Sequence, residues 1–283
     1  MRIAILTEVF PPKIDGITNR LRHTLACLVA EGHEVRVIAP EPAGELPGVE
    51  VVRVPALPFP RYPGLQLGLP HPRIAWALAR FRPDVVHAVG PACLGLWGLW
   101  AARSLAIPRV ASYHTDFPRY LAGYGLRRAG GMIWPLIRAV HGLAQVNLCP
   151  STFTRRELEA HGIAHVGLWR GGVDTELFHP RRRHLAMRAR LSQGRPDAPL
   201  LLYAGRLAPE KNLELLAWVM DAHPGARLAL VGDGPARPRL ERLFAHTPTC
   251  FAGFLRGEEL AQAFASADVF VMPSRTETLG FVV

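Results

Sequence analysis

The chain has 283 residues, 49% of them hydrophobic and 20% charged, with a net charge of +10 and a pI near 10.3. Such a composition supplies a core and suits one large domain or two medium ones, which argues against a disordered chain. The basic balance leaves an anionic substrate, an anionic membrane face or nucleic acid open beside an ordinary arginine-rich surface.

From the N-terminus, RIAILT (2–7) reads as a strand. ITNRLRHTLACLVAEG (17–32) reads as an amphipathic helix ending at Gly32. EVRVIAP and VEVVRVP are strands by alternation and β-branched content. PRIAWALARF reads as a helix, DVVHAVG as a strand, CLGLWGLWAARSLA as a helix and RVASYHT as a strand. The nearly uncharged stretch 88–102 is too short to span a bilayer and is expected as a buried helix. IWPLIRAVHGLA is helical, with Pro135 expected to kink it or mark a break. QVNLCP is a strand, TFTRRELEAHG a helix with a Ser151–Thr152 cap signal, and HVGLWRGG a further strand.

The segment 179–199 is polar, basic and flanked by prolines, so it reads as an interdomain connection with room for one short helix. The alternation then restarts: strand LLLYAG, helix NLELLAWVMDAH, strand RLALVG, helix ARPRLERLFA, strand TCFAGF, helix EELAQAFASA and strand DVFVMPS. Strands alternating with helices mean parallel sheets covered on both faces. The expected class is α/β, with two doubly wound Rossmann-like domains facing a cleft. The expected boundaries are 1–178, a linker over 179–199, and 200–283.

Cys27, Cys93, Cys149 and Cys250 are far apart and form no CxxC pair, so buried thiols are expected rather than a zinc site. The sequence holds no zinc-finger spacing, RNP-like strand or basic heptad region, so no nucleic-acid partner is expected. GxSxG and HExxH are absent too.

Five loops at strand carboxyl ends carry the chemistry. Of 33 Lys and Arg residues, only Lys13 and Lys211 are lysines. Arg206 and Lys211 follow the strand LLLYAG and precede a helix expected to begin near Asn212. Two cations so placed can straddle a diphosphate, and a loop with two solvated charges is the plain alternative. LVGDGP has Gly232 and Gly234, which permit close backbone approach or merely a tight turn. Gly16, in a loop that also carries Lys13, sits at a helix start where N–H groups can approach a phosphate. His114 and Asp116 form a His–x–Asp pair suited to acid–base work or to holding a sugar hydroxyl. Near the end, Glu277 can accept bonds from sugar hydroxyls, and the N–H groups of Gly280, Phe281 and Val282 can point at a phosphate.

GRLAPEKNLELL, LVGDGP, the run from FAGF to VMPS, and ETLGFVV together resemble the retaining nucleotide-sugar glycosyltransferases of family 4, which have the GT-B fold. TEVFPPKIDGITNRLRHTL, SYHTDFPRYLAGYGL, VNLCPST and LWRGGVDTELFHP resemble more narrowly the bacterial sulfoquinovosyltransferases and related lipid mannosyltransferases.

The resemblance implies transfer of a sugar from a UDP-sugar or GDP-sugar to a lipid acceptor, with retention, without metal and without a further cofactor. The expected transfer is of sulfoquinovose or a hexose to diacylglycerol. A GDP-mannose-dependent α-mannosyltransferase is the second reading. The two-domain plan also suits a nucleotide-sugar epimerase, but the motif pair GRLAPEKN and ETLG does not.

By the same resemblance Arg206 and Lys211 bind the donor diphosphate, Glu277 touches the donor sugar, Gly16 approaches the donor phosphate and His114 lies near the transferred sugar. It also implies a cytoplasmic enzyme able to work at the inner face of the membrane. The second glutamate of the family's E-x7-E pattern would fall at position 285, past Val283, so the chain reads as a fragment, and nucleotide binding without catalysis is a third reading. The segment 126–142 sets Arg127, Arg128 and Arg138 beside Met132, Ile133, Trp134, Leu136 and Ile137, a mix suited to lipid headgroups or to a core helix with a wet edge.

Overall fold

A computed structural model describes residues 1–13, 16–58, 66–114, 116, 118 and 133–274. They form two compact units, and the chain passes from one to the other between Gly171 and Gly172.

The first unit contains β1 (Arg2–Thr7), α1 (Gly16–Ala30), β2 (Glu34–Pro40), β3 (Val49–Val54), β4 (Ala56–Pro58), β5 (Gln66–Gly68), α2 (Pro72–Phe81), β6 (Val85–Val89) and α3 (Cys93–Ser104). It continues with β7 (Arg109–Ser112), α4 (Trp134–His141), β8 (Val146–Cys149), α5 (Thr152–Ala160) and β9 (Val166–Leu168). Seven strands pair in parallel in the order β3-β2-β1-β6-β7-β8-β9, while β4 and β5 form a short antiparallel pair. The order reverses between β1 and β6.

Alternation along β1 explains the two cores. Ile3 and Ile5 join Val35, Val37 and Leu21 and Leu25 of α1. Ala4 and Leu6 point the other way, to Ile74 and Leu78 of α2 and Leu94 and Leu99 of α3. Helix α3 lies so close to β1 that a Cβ on Gly98 would fall 2.1 Å from Leu6 Cδ1. Contrary to the expected buried helix, only one side of α3 is covered. Trp97 and Trp100 are exposed on the other. Pro135 sits in the first turn of α4, where its missing N–H costs nothing, so it starts that helix instead of kinking it. Ser151 caps α5, its hydroxyl accepting from Thr154 N at 3.2 Å.

The second unit contains α6 (Leu185–Leu191), β10 (Leu200–Ala204), α7 (Leu216–Ala222), β11 (Arg227–Val231), α8 (Arg237–Leu243), β12 (Thr249–Gly253), α9 (Gly257–Ser266) and β13 (Val269–Phe270). Its four strands are parallel, in the order β12-β11-β10-β13. The segment expected as a linker, 179–199, is built into this unit. Met187 and Leu191 of α6 are buried against Leu200, Leu202 and Ala229. Arg188 is buried too, and it donates to the carbonyls of Pro196, Ala198 and Ser266 and to both oxygens of Asp268. The basic letters of this stretch therefore hide a structural helix. The cysteines are free thiols, as expected, but of the four only Cys149 is buried: Cys250 is partly covered, and Cys27 and Cys93 are exposed.

Candidate functional site

In open parallel sheets, ligands gather at the carboxyl ends of strands where the strand order reverses. In the second unit that point lies between β10 and β13. The loop after β10 carries Arg206 and Lys211, both half-buried. It does not run into a helix at Asn212 as expected. Lys211 ends a 3-10 turn (Pro209–Lys211), Asn212 takes the left-handed conformation at φ 51°, and a second 3-10 turn (Leu213–Leu215) precedes α7. Asparagine tolerates that conformation, and a residue in it interrupts a regular helix.

The loop is held from behind by the turn after β11. Gly205 N donates to Val231 O at 2.9 Å, Leu207 N to Asp233 O at 3.0 Å, and Ala236 N to Leu207 O at 2.9 Å. The Tyr203 hydroxyl donates to Arg206 O at 2.9 Å. A Cβ at Gly232 would sit 2.0 Å from Gly205 O, and one at Gly234 would sit 2.4 Å from Leu207 O. Two loops that are plain turns in the sequence are thus one layered backbone structure, and Gly232 faces the Gly205 carbonyl within it.

In the first unit the reversal lies between β1 and β6. Gly16 opens α1, partly exposed, and His114 lies just past β7, buried. One turn along α1, Arg20 reaches the end of β9. It donates to Trp169 O at 2.5 Å and Arg170 O at 2.8 Å, and its guanidinium lies 4.0 Å from the centre of the Trp169 indole. That indole meets His114 edge-on at 5.2 Å and His87 at 5.0 Å. The two imidazoles share one hydroxyl: Ser112 Oγ is 3.0 Å from His114 Nε2 and 2.9 Å from His87 Nε2. Gly16 and His114 therefore belong to one neighbourhood, linked through Arg20 and Trp169.

Electrostatics sets what these groups can do. Burial, then the charge of Arg20, pushes His114 down to about 3. The same two causes, in that order, push His87 to about 4. Both are neutral imidazoles at neutral pH. In that form His114 can accept from or donate to a hydroxyl, and it carries no charge to serve as an acid. Asp116 is buried nearby in sequence.

Glu8, at the end of β1, was not singled out in the sequence. It is buried and accepts from Gly68 N at 2.8 Å and Leu94 N at 2.5 Å, which ties β1, β5 and α3 together. Burial raises it to about 7, against the opposing pull of those N–H groups.

Glu277, Gly280, Phe281 and Val282 lie outside the described residues, as do Arg127, Arg128 and Met132. In the described part of 126–142, Ile137 is buried and Trp134 stacks on His161 at 3.6 Å and 10°. In the same part Val140 and His141 are also buried, while Pro135, Leu136, Arg138 and Ala139 face outward, so these residues form a helix with one core side and one exposed side.

Comparison with known proteins matches residues 14–177 to the family described as Glycosyltransferase Family 4 and residues 198–283 to that described as Glycosyl transferases group 1. The chain is 42% identical over 292 aligned positions to the sulfoquinovosyl transferase of Arabidopsis thaliana, covering 100% of this chain and 57% of that protein. It is 43% identical to a GDP-mannose-dependent alpha-mannosyltransferase of Mycolicibacterium smegmatis, covering 98% of this chain and 75% of the relative. It is 31% identical to a GDP-mannose-dependent alpha-(1-6)-phosphatidylinositol dimannoside mannosyltransferase of Mycobacterium tuberculosis, covering 99% of this chain and 75% of the relative. Among solved structures, sucrose-phosphate synthase from Thermosynechococcus elongatus is similar in fold, with a TM-score of 0.77 at 20% identity over 99% of this chain and 77% of that one.

Proposed function

The chain belongs to glycosyltransferase family 4 and has the GT-B fold, and on that premise we propose that it moves a sugar from a nucleoside diphosphate to a lipid acceptor. Retention at the anomeric carbon and independence from metal are part of the proposal. The observation that carries it is the loop of Arg206 and Lys211, set at a sheet reversal and buttressed by the Gly232–Gly234 turn. Two preorganised cations there stabilise a departing diphosphate, each by roughly 3 kcal/mol in the transition state. They supply the positive charge that a metal would otherwise bring. The acceptor hydroxyl attacks the anomeric carbon on the face from which the diphosphate leaves, and its proton passes to the departing phosphate oxygen. No protein nucleophile is assigned.

Neutral His114 holds a hydroxyl of the transferred sugar. Glu277 holds another, and the N–H groups of Gly280, Phe281 and Val282, with that of Gly16, serve the phosphates. The chain acts at the inner face of the cytoplasmic membrane. Among the described residues, no helix is long and apolar enough to cross it.

Sulfoquinovose or a hexose is the donor sugar of first choice and diacylglycerol the acceptor, the sulfoquinovosyl group being the one that the name of the Arabidopsis relative gives. The larger share of the mycobacterial relative that is covered, 75% against 57%, supports GDP-mannose as the second reading. The test incubates the protein with diacylglycerol micelles and UDP-sulfoquinovose, UDP-glucose or GDP-mannose, with and without EDTA. An α-linked glycolipid that forms equally with EDTA is the expected product. Donor binding without transfer from any of the three overturns the catalytic reading.

A further inference from the structure

We propose that the outward side of helices α2, α3 and α4 is a docking surface for an anionic lipid bilayer. Ile74 and Leu78 of α2, Leu94 and Leu99 of α3 and Val140 of α4 share one core cluster, and α3 packs against both neighbours. The three helices therefore form one layer on one face of the seven-stranded sheet, and their uncovered sides look outward together.

Those sides are aromatic. Trp76 is 59% exposed, Trp97 41%, Trp100 55% and Leu136 54%. On α3 the exposed residues Cys93, Trp97, Trp100 and Ser104 follow helical spacing, while Leu94, Gly95, Gly98, Leu99, Ala101 and Ala102 are buried. Core packing thus explains one side of this helix and leaves the tryptophans unexplained. Trp97 and Trp100 meet edge to face at 5.9 Å, and Arg80 lies 5.2 Å from the centre of the Trp76 ring.

The charge is one-sided. Arg73, Arg80, Arg103 and Arg138 are exposed on the same three helices, which contain no aspartate or glutamate. Indoles settle at headgroup depth, where an apolar body and a polar N–H are both satisfied, and guanidinium groups meet anionic headgroups there. Exposed indoles and exposed arginines on the same three helices, with Arg80 over Trp76, fit a lipid surface in charge and in chemistry. The purpose of the surface rests on the lipid-acceptor reading, but its existence does not.

The test sediments the full chain with vesicles of phosphatidylcholine and phosphatidylglycerol, and with vesicles of phosphatidylcholine alone, in the absence of donor and acceptor. The parent should pellet with the anionic vesicles, with a blue shift of tryptophan emission. A W76S/W97S/W100S variant should lose binding by about fivefold or more, and an R73Q/R80Q/R103Q variant should lose the preference for anionic vesicles. These positions are exposed, so circular dichroism and melting should match the parent. Parent binding that is absent, or equal on neutral vesicles, overturns the proposal. So does a tryptophan variant that binds as well as the parent, or one whose only defect is lost self-association in sedimentation velocity. Transfer to micellar diacylglycerol separates the two ideas: intact transfer with failed docking removes this surface and leaves the function standing.

Discussion

Arg20 and Trp169, 149 positions apart in the chain, are joined by a hydrogen bond of 2.5 Å and a guanidinium–indole contact of 4.0 Å. The contact places a fixed positive charge beside His114 and His87, whose ionised forms it opposes. Arg20→Met should raise the pKa of His114 from about 3, yet leave it below the ordinary 6.5, because burial is the larger cause. An NMR titration of the labelled imidazole reads this directly. An unchanged pKa would show that Arg20 does not act on the histidine.

Glu8 should give the protein an opposite pH signature. Its folded pKa of about 7 lies above the ordinary carboxylate value of 4.5, so the folded state binds its proton more tightly. That contribution to stability is complete below 4.5 and is lost as pH rises through about 7. Glu8→Gln replaces an acceptor by a donor facing Gly68 N or Leu94 N, at a cost of about 1–3 kcal/mol. Denaturant unfolding should show the parent's advantage over this variant to be largest in acid and to shrink toward pH 7. A difference independent of pH would count against the raised carboxyl.

Lys211→Ala should lower kcat/KM by about a hundredfold, with Arg206→Ala similar. Lys211→Arg should rescue only part of the loss, since a planar fork does not reproduce a compact ammonium. Activity of Lys211→Ala within threefold of the parent, the threefold being about 0.6 kcal/mol, would remove the pair from the donor site.

Gly232→Ala should destabilise the second unit and loosen the cationic loop together. The new methyl would fall 2.0 Å from Gly205 O at a backbone φ of 124°, so both loops must shift. The expected cost is about 1–3 kcal/mol in unfolding. Calorimetric affinity for the nucleoside diphosphate should fall in parallel. Retained affinity would mean that the loop keeps its shape without this buttress.

Glu277→Ala should weaken binding of the nucleotide sugar more than that of the free diphosphate. Equal losses for both ligands, measured by calorimetry, would place the carboxylate elsewhere than at the sugar.

Much of the fold is legible from local patterns. The run RIAILT becomes the central strand β1 because its alternate residues serve two cores, and Ser151 caps its helix as its side chain requires. Arg206 and Lys211 were readable from their place after a strand, although the left-handed Asn212 defeats the helix that periodicity suggests. Arg20, His87, Ser112 and Trp169 carry no local signal. They meet only because α1, β6, β7 and the end of β9 converge, and nothing near any one of them in sequence announces the others. A short helix is legible in 179–199, but its burial is not, because Met187 and Leu191 supply the core contacts of α6 from within a run dominated by arginine.

That helix decides where the molecule can be cut. A fragment starting at Leu200 would keep every strand of the second sheet and still lack Met187, Leu191 and Arg188, leaving an apolar scar beside Leu202 and Asp268 without its cation. A fragment starting near Gly172 retains all three. For any chimaera that exchanges donor specificity between relatives, the junction belongs ahead of Leu185, and grafts made at the first strand of the second sheet should come out insoluble.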